Sequence, residues 1–287
     1  MTSFGARLAA AIDARGQLCV GIDPHAGLLQ EWGLDAAASG VREFGLRVVE
    51  AAAGRVGVVK PQVAFFERYG SAGFAALEEV IAAARAGGLI VIADAKRGDI
   101  GSTMDGYAQA WLASGSPLES DAVTISPYLG PDSLAGTVGV AVREEKGLFV
   151  LAATSNPEAR GLQSAEVTVV DAERGQTVAD WVAQRAGAVN SSVAVGEDRL
   201  GPVGFVVGAT VDRAELGLTD EALLRAPILA PGFGAQGARL EDIRILFGPL
   251  APQVLASASR SILGAGPDGI AAAIDHHNSE LLDALNA

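Results

Sequence analysis

Two acids and a lysine fall within six positions of this 287-residue chain, in Asp94-Ala-Lys96-Arg-Gly-Asp99-Ile100-Gly-Ser-Thr103. Together Asp94, Lys96 and Asp99 supply an acid, a base and a second acid, the equipment of general acid–base chemistry. The five residues before them, Leu89–Ala93, are all apolar. A short uninterrupted apolar run reads as a strand buried on both faces, as in a parallel sheet. Side chains alternate along a strand, so Asp94 and Lys96 point the same way. Asp99 lies past the turn at Gly98, and it shares a face with Thr103 if the next helix has begun there. Charges in an ordinary loop are simply solvated. Here they follow an apolar strand with no polar transition, at the end of the strand where α/β folds carry their chemistry.

Other strand ends repeat the pattern. Leu18–Asp23 is an apolar run closed by an acid, and Val56–Lys60 is one closed by a lysine before Pro61. Gly147–Ala153 runs into Thr154-Ser155-Asn156-Pro157. Pro227–Ala230 leads into the glycine-rich stretch 231–237, which contains Gln236, and Val254–Ser257 leads to Arg260. Glycines let backbone N–H groups approach an anion, and arginine can offer two parallel hydrogen bonds. Barrels often hold phosphate in the loops after their seventh and eighth strands. Gln236 and Arg260 are therefore candidates for phosphate binding.

The elements that must position these residues alternate in type. Strands at Asp121–Ile125 and Val203–Ala209 bring the number to eight. Helical spacing appears at Ala36–Ala53, Phe74–Ala86, Ser102–Ala113, Ser133–Val142, Thr177–Val189 and Asp268–Leu285. The segment from Glu158 to about Glu173 reads as a long polar loop. Strand–helix alternation implies a parallel sheet with helices outside it. Eight repeats in this length fit a single-domain (β/α)8 TIM barrel over residues 1–287, and an open doubly wound sheet is the alternative.

A net charge of −13 and 5% aromatic content argue against nucleic-acid binding by bulk charge or base stacking. No apolar run is long enough for a membrane span, and the N-terminus lacks signal-peptide character. Cys19 is the only cysteine and reads as a buried inert thiol. These features suggest a cytoplasmic protein. No metal site stands out: His276 and His277 diverge on one helix, and His25 reads as a loop residue beside a strand end.

The signature Asp94-x-Lys96-x-x-Asp99-Ile100-x-x-Thr103 resembles that of the orotidine 5′-phosphate decarboxylase family. Gly-Ile-Asp23-Pro, Val-Val-Lys60-Pro-Gln, Ala-Thr-Ser155-Asn-Pro, Ala-Pro-Gly-Phe-Gly-Ala-Gln236-Gly and Ala-Ser-Arg260-Ser-Ile resemble the family's other blocks, in order. Length and wording are most similar to its longer bacterial branch. The segment 158–200 exceeds the minimal fold and reads as an insertion. The resemblance implies cofactor-free conversion of orotidine 5′-monophosphate to uridine 5′-monophosphate (UMP) and CO2, the last step of de novo pyrimidine synthesis. It implies a charged tetrad of Lys60, Asp94, Lys96 and Asp99, with Lys96 stabilising and protonating a carbanion at C6. Asp23 and Lys60 then correspond to ribose contacts, Ser155 to the pyrimidine contact, and Gln236 and Arg260 to phosphate contacts. Ile100 falls within the substrate-binding signature. A homodimer follows too, with Asp99 and Thr103 completing the partner's site. The alternatives are a related magnesium-dependent sugar-phosphate decarboxylase and a barrel that binds a nucleotide without catalysis.

Overall fold

Eight parallel strands pair in sequence order and close on themselves in the computed structural model. They are β1 (Leu18–Ile22), β2 (Val58–Pro61), β3 (Ile90–Arg97), β4 (Ala122–Ile125), β5 (Gly147–Ala153), β6 (Val203–Val207), β7 (Ile228–Pro231) and β8 (Val254–Ala258). The α-helices are α1 (Phe4–Arg15), α2 (Ala26–Glu31), α3 (Ala38–Ala52), α4 (Val63–Glu67), α5 (Gly70–Ala86), α6 (Gly101–Leu112), α7 (Ala135–Arg143), α8 (Arg160–Gln163), α9 (Val178–Val193), α10 (Ile243–Phe247), α11 (Arg260–Leu263) and α12 (Gly266–Asn286). The structure describes residues 2–168, 174–193, 199–234 and 237–286. The expected (β/α)8 barrel is the observed architecture. No helix among the described residues is long and apolar enough to cross a membrane.

Period-two alternation divides each strand between two cores. Val20, Val59, Val91, Val123, Val150 and Phe205 face outward and pack on the helices. Cys19, Val58, Ile90, Ile92, Ala122, Phe149, Val206, Leu229 and Leu255 face inward and fill the barrel. Burial pushes the Cys19 thiol up to about 12, which suits the inert role expected of it.

The lower end of the barrel is closed by α1. Phe4, Leu8 and Ile12 recur at helical spacing and join the inward core. The Phe4 ring sits where Gly147 has no side chain, since a Cβ there would come within 2.3 Å of it. This helix is absent from the elements expected from sequence, because its apolar stripe is short and finds a partner only across the closed barrel. Two smaller departures have local causes. β2 continues through Pro61, which pairs with Ile22 at the strand end, where few ladder donors are needed. The stretch after Asn156, read as loop, contains the short turn Pro157–Ala159, then α8, and a bridge from Glu166 to Thr177.

Charges at the lower end tie the frame together. Glu119 accepts from Lys146 Nζ at 2.8 Å, from Arg85 Nη2 at 2.6 Å and from the Gly115 N–H at 2.8 Å. Asp121 accepts from Arg7 at 2.6 Å and from the Val91 N–H at 3.0 Å. Burial alone would raise the Glu119 carboxyl, but Lys146, the Gly115 N–H and Arg85 outweigh it and lower it from 4.5 to about 2. A depressed carboxyl stabilises the fold above its ordinary value, and that stability is lost as pH falls towards the folded one. Glu119→Gln should therefore be less stable than wild type at neutral pH, with the gap closing between about pH 4.5 and pH 2. Urea melts across that range check this, and a gap independent of pH would count against it.

Candidate active site

The inward register of the strands continues past the core into a cavity of about 740 Å³ at the upper mouth. Below it lie Val58, Ile90, Ile92, Ala122 and Leu255. Two residues further along the same strands come Lys60, Asp94, Thr124 and Ser257, all lining the cavity. Asp23, Lys96, Ser155, Asn156, Ser259 and Arg260 line it as well. Its floor is apolar, with Leu151, Val206 and Leu229. The polar groups thus share one enclosed space because each occupies the upper, inward position of its strand or the loop just beyond.

Asp94 is the hub. Its Oδ2 accepts from Lys60 Nζ at 3.0 Å, and its Oδ1 accepts from Lys96 Nζ at 2.5 Å and from Thr124 Oγ1 at 2.9 Å. Burial alone would raise its carboxyl, but the ammonium groups of Lys60 and Lys96 hold it well below the usual carboxylate range. Burial would likewise depress Lys60, yet Asp94 and Asp23 push it above its ordinary value. Lys60 Nζ lies 4.0 Å from Asp23 Oδ1 and 3.3 Å from Gln62 Oε1, to which it donates. The Lys60 side chain is 8% exposed and that of Lys96 48%, so one ammonium is fixed in the wall while the other faces the open cavity.

Two buried oxygens in the cavity wall, Asp23 Oδ1 and Ser259 Oγ, make no hydrogen bond within the described residues. Unsatisfied buried oxygens are costly, so they are available to a ligand's hydroxyl or N–H groups. The loops after β7 and β8 touch, since a Cβ on Gly234 would lie 2.9 Å from Ser261 Oγ. This contact brings the glycine stretch and Arg260 to one rim. Gln236 lies outside the described residues.

Asp99, Ile100 and Thr103 are not brought to this cavity. Among the described residues its lining stops at Lys96 on this strand and resumes at Thr124. Ile100 is 59% exposed, Thr103 is exposed, and Asp99 Oδ1 accepts from the Ile100 N–H at 2.8 Å. Arg97 belongs to the frame, with Glu67 at 3.1 Å and the rings of Tyr107 and Trp111 beneath its guanidinium. His25 packs on Phe65, while His277, read as a surface residue, meets Ser261 Oγ at 3.1 Å. Thr124, Ser257, Ser259 and Gln62 escaped the sequence reading. Period-two projection from Ala122, Leu255 and Val58 would have found them.

Known proteins are similar to this chain over most of its length. A profile described as the orotidine 5′-phosphate decarboxylase / HUMPS family matches residues 16–274. The chain belongs to that family. Orotidine 5′-phosphate decarboxylase of Salinispora arenicola is 51% identical over 268 residues, covering 93% of this chain and 92% of the relative. The protein of that name from Nocardioides sp. is 53% identical over 264 residues, covering 92% of each. A crystal structure of a Streptomyces avermitilis protein assigned the same activity is 46% identical with a TM-score of 0.91, over 100% of this chain and 97% of that one. The structure of Leishmania donovani OMP decarboxylase is 32% identical with a TM-score of 0.76, over 100% of both chains. The family resemblance read from the signature is thereby borne out.

Removing one partner of a buried charge pair leaves the other uncompensated, at a cost of about 3 kcal/mol or more. Asp94→Asn should therefore lower unfolding free energy by about 3 kcal/mol in urea titration. An unchanged midpoint would mean that Asp23 alone suffices to hold Lys60.

Proposed function

We propose that the chain decarboxylates orotidine 5′-monophosphate to UMP and CO2, the last step of de novo pyrimidine synthesis, with Lys96 acting on C6. The observation that carries the reading is Lys96 Nζ, half exposed in the cavity and 2.5 Å from Asp94. Loss of CO2 leaves a carbanion at C6 that the ring cannot easily delocalise. An ammonium aimed at that carbon stabilises the charge as it develops and then supplies the proton. Asp94 stands near the departing carboxylate. Two like charges about 4 Å apart repel by roughly 4 kcal/mol at an effective dielectric of 20. The slowest uncatalysed reactions need barriers lowered by about 20 kcal/mol or more, so repulsion alone is far too small. Carbanion stabilisation by Lys96 must contribute, together with binding energy from the remote phosphate.

In this reading Asp23 and Lys60 hold the ribose, Ser155 the pyrimidine, and Gln236 and Arg260 the phosphate. The chemistry uses no cofactor and takes place in the cytoplasm. The working unit is a homodimer. Asp99, Ile100 and Thr103 stand outside their own cavity, as residues acting across an interface would. Ile100 in the loop after β3, and Tyr128 and Leu129 in the loop after β4, leave apolar surface for the partner at 59%, 76% and 53% exposure.

Loss of orotidylate absorbance on mixing with the purified protein is the test. Lys96→Ala should nearly abolish the rate with the fold intact by circular dichroism. Retention of more than about a tenth of the wild-type rate would remove Lys96 as proton donor. Mixing Asp94→Ala with Asp99→Ala subunits should restore about a quarter of the activity, since about half of the dimers are hybrid and each hybrid carries one intact site. No recovery would place the whole site within one chain.

A further inference from the structure

We propose that Thr124 is a positioning residue whose single hydroxyl sets both the Asp94 carboxylate and the backbone of Lys96. The inference rests on the role given to Lys96 above. Thr124 is 1% exposed, on β4 beside the upper end of β3. Its Oγ1 accepts from the Lys96 backbone N–H at 2.9 Å. A hydroxyl has one hydrogen, and that donated by Thr124 goes to Asp94 Oδ1, also at 2.9 Å. Both directions are fixed, because an N–H can only donate and an ionised carboxylate can only accept.

The backbone shows why Lys96 needs this support. Ala93 pairs with Val123 and Arg97 with Ile125, so β3 spends four residues where β4 spends two. The extra residues leave the ladder, and Lys96 takes a φ of 48°. A non-glycine residue there is strained and persists only where its surroundings enforce it. Its N–H has lost its strand partner, and the Thr124 hydroxyl replaces that partner. The same bulge returns the Lys96 side chain to Asp94, where Nζ and the Thr124 hydroxyl share Oδ1. One oxygen atom on β4 thus holds the strained backbone and the counter-charge of the same lysine.

Thr124→Val keeps the shape and removes the hydroxyl, while Thr124→Ser keeps the hydroxyl. Displacements of about 1 Å in a catalytic group can cost a hundredfold in rate. The expected result for Thr124→Val is a kcat lowered by roughly 10- to 100-fold, with affinity for UMP within about twofold of wild type. Thr124→Ser should recover kcat to within about threefold. A purely structural role would instead weaken UMP binding and melting temperature together. If the valine variant does not fold, Thr124→Ala is read in the same way. A crystal structure of the variant gives a readout that needs no turnover: Lys96 should leave the left-handed region and Nζ should leave Asp94. Unchanged Lys96 geometry, or a Thr124→Val kcat within twofold of wild type, overturns the proposal. Failure of the wild-type protein to consume orotidylate would count against the proposed reaction and leave the geometric outcome to decide Thr124.

Discussion

One carboxylate facing two ammonium groups is the constraint around which the mouth of this barrel is built. Asp94 accepts from Lys60 on one oxygen and from Lys96 on the other. Asp94 is the nearer counter-charge of the buried Lys60 and the partner of the half-exposed Lys96, and the two ammonium groups offset the burial that would raise its own carboxyl. The three charges belong to adjacent strands, so their distances are set by strand spacing and register rather than by loops. A frame that cannot relax around these charges keeps them preorganised, which gives electrostatic stabilisation its value.

Everything else divides by side of the barrel. At the lower end, acids are satisfied entirely by the frame, as Glu119 is by Lys146, Arg85 and a backbone N–H. At the upper end, buried oxygens of Asp23 and Ser259 remain without hydrogen bonds. Polar residues thus pack within the frame at one mouth and line a cavity at the other. The difference is whether the chain completes their hydrogen bonds.

The strands and the polar residues at their ends were legible in the sequence because both follow from local rules. An apolar run announces a buried strand, and the residues at its end announce the mouth. Asp94 and Lys96 meet as alternation predicts, although Lys96 reaches Asp94 through a bulge that no alternation rule contains. Thr124 was invisible for a related reason: a threonine inside an apolar strand reads as β-propensity until its neighbour is known. The segment after Asn156 was illegible because its short turns have no long period, and α1 because its stripe finds a partner only once the barrel is closed. Asp99 and Thr103 show a further limit, since the signature groups them with Asp94 and Lys96 while the fold leaves them outside the cavity.

The closure of the barrel by Phe4, Leu8 and Ile12 bears on how the polypeptide matures. The surface that receives these side chains is assembled from strands that run from Cys19 to Leu255. Helix α1 therefore waits, its oily stripe uncovered, until strands as distant as β8 have been made. Contacts so distant along the chain form late and slowly. In a growing polypeptide this helix is therefore seated after the strands whose end it closes.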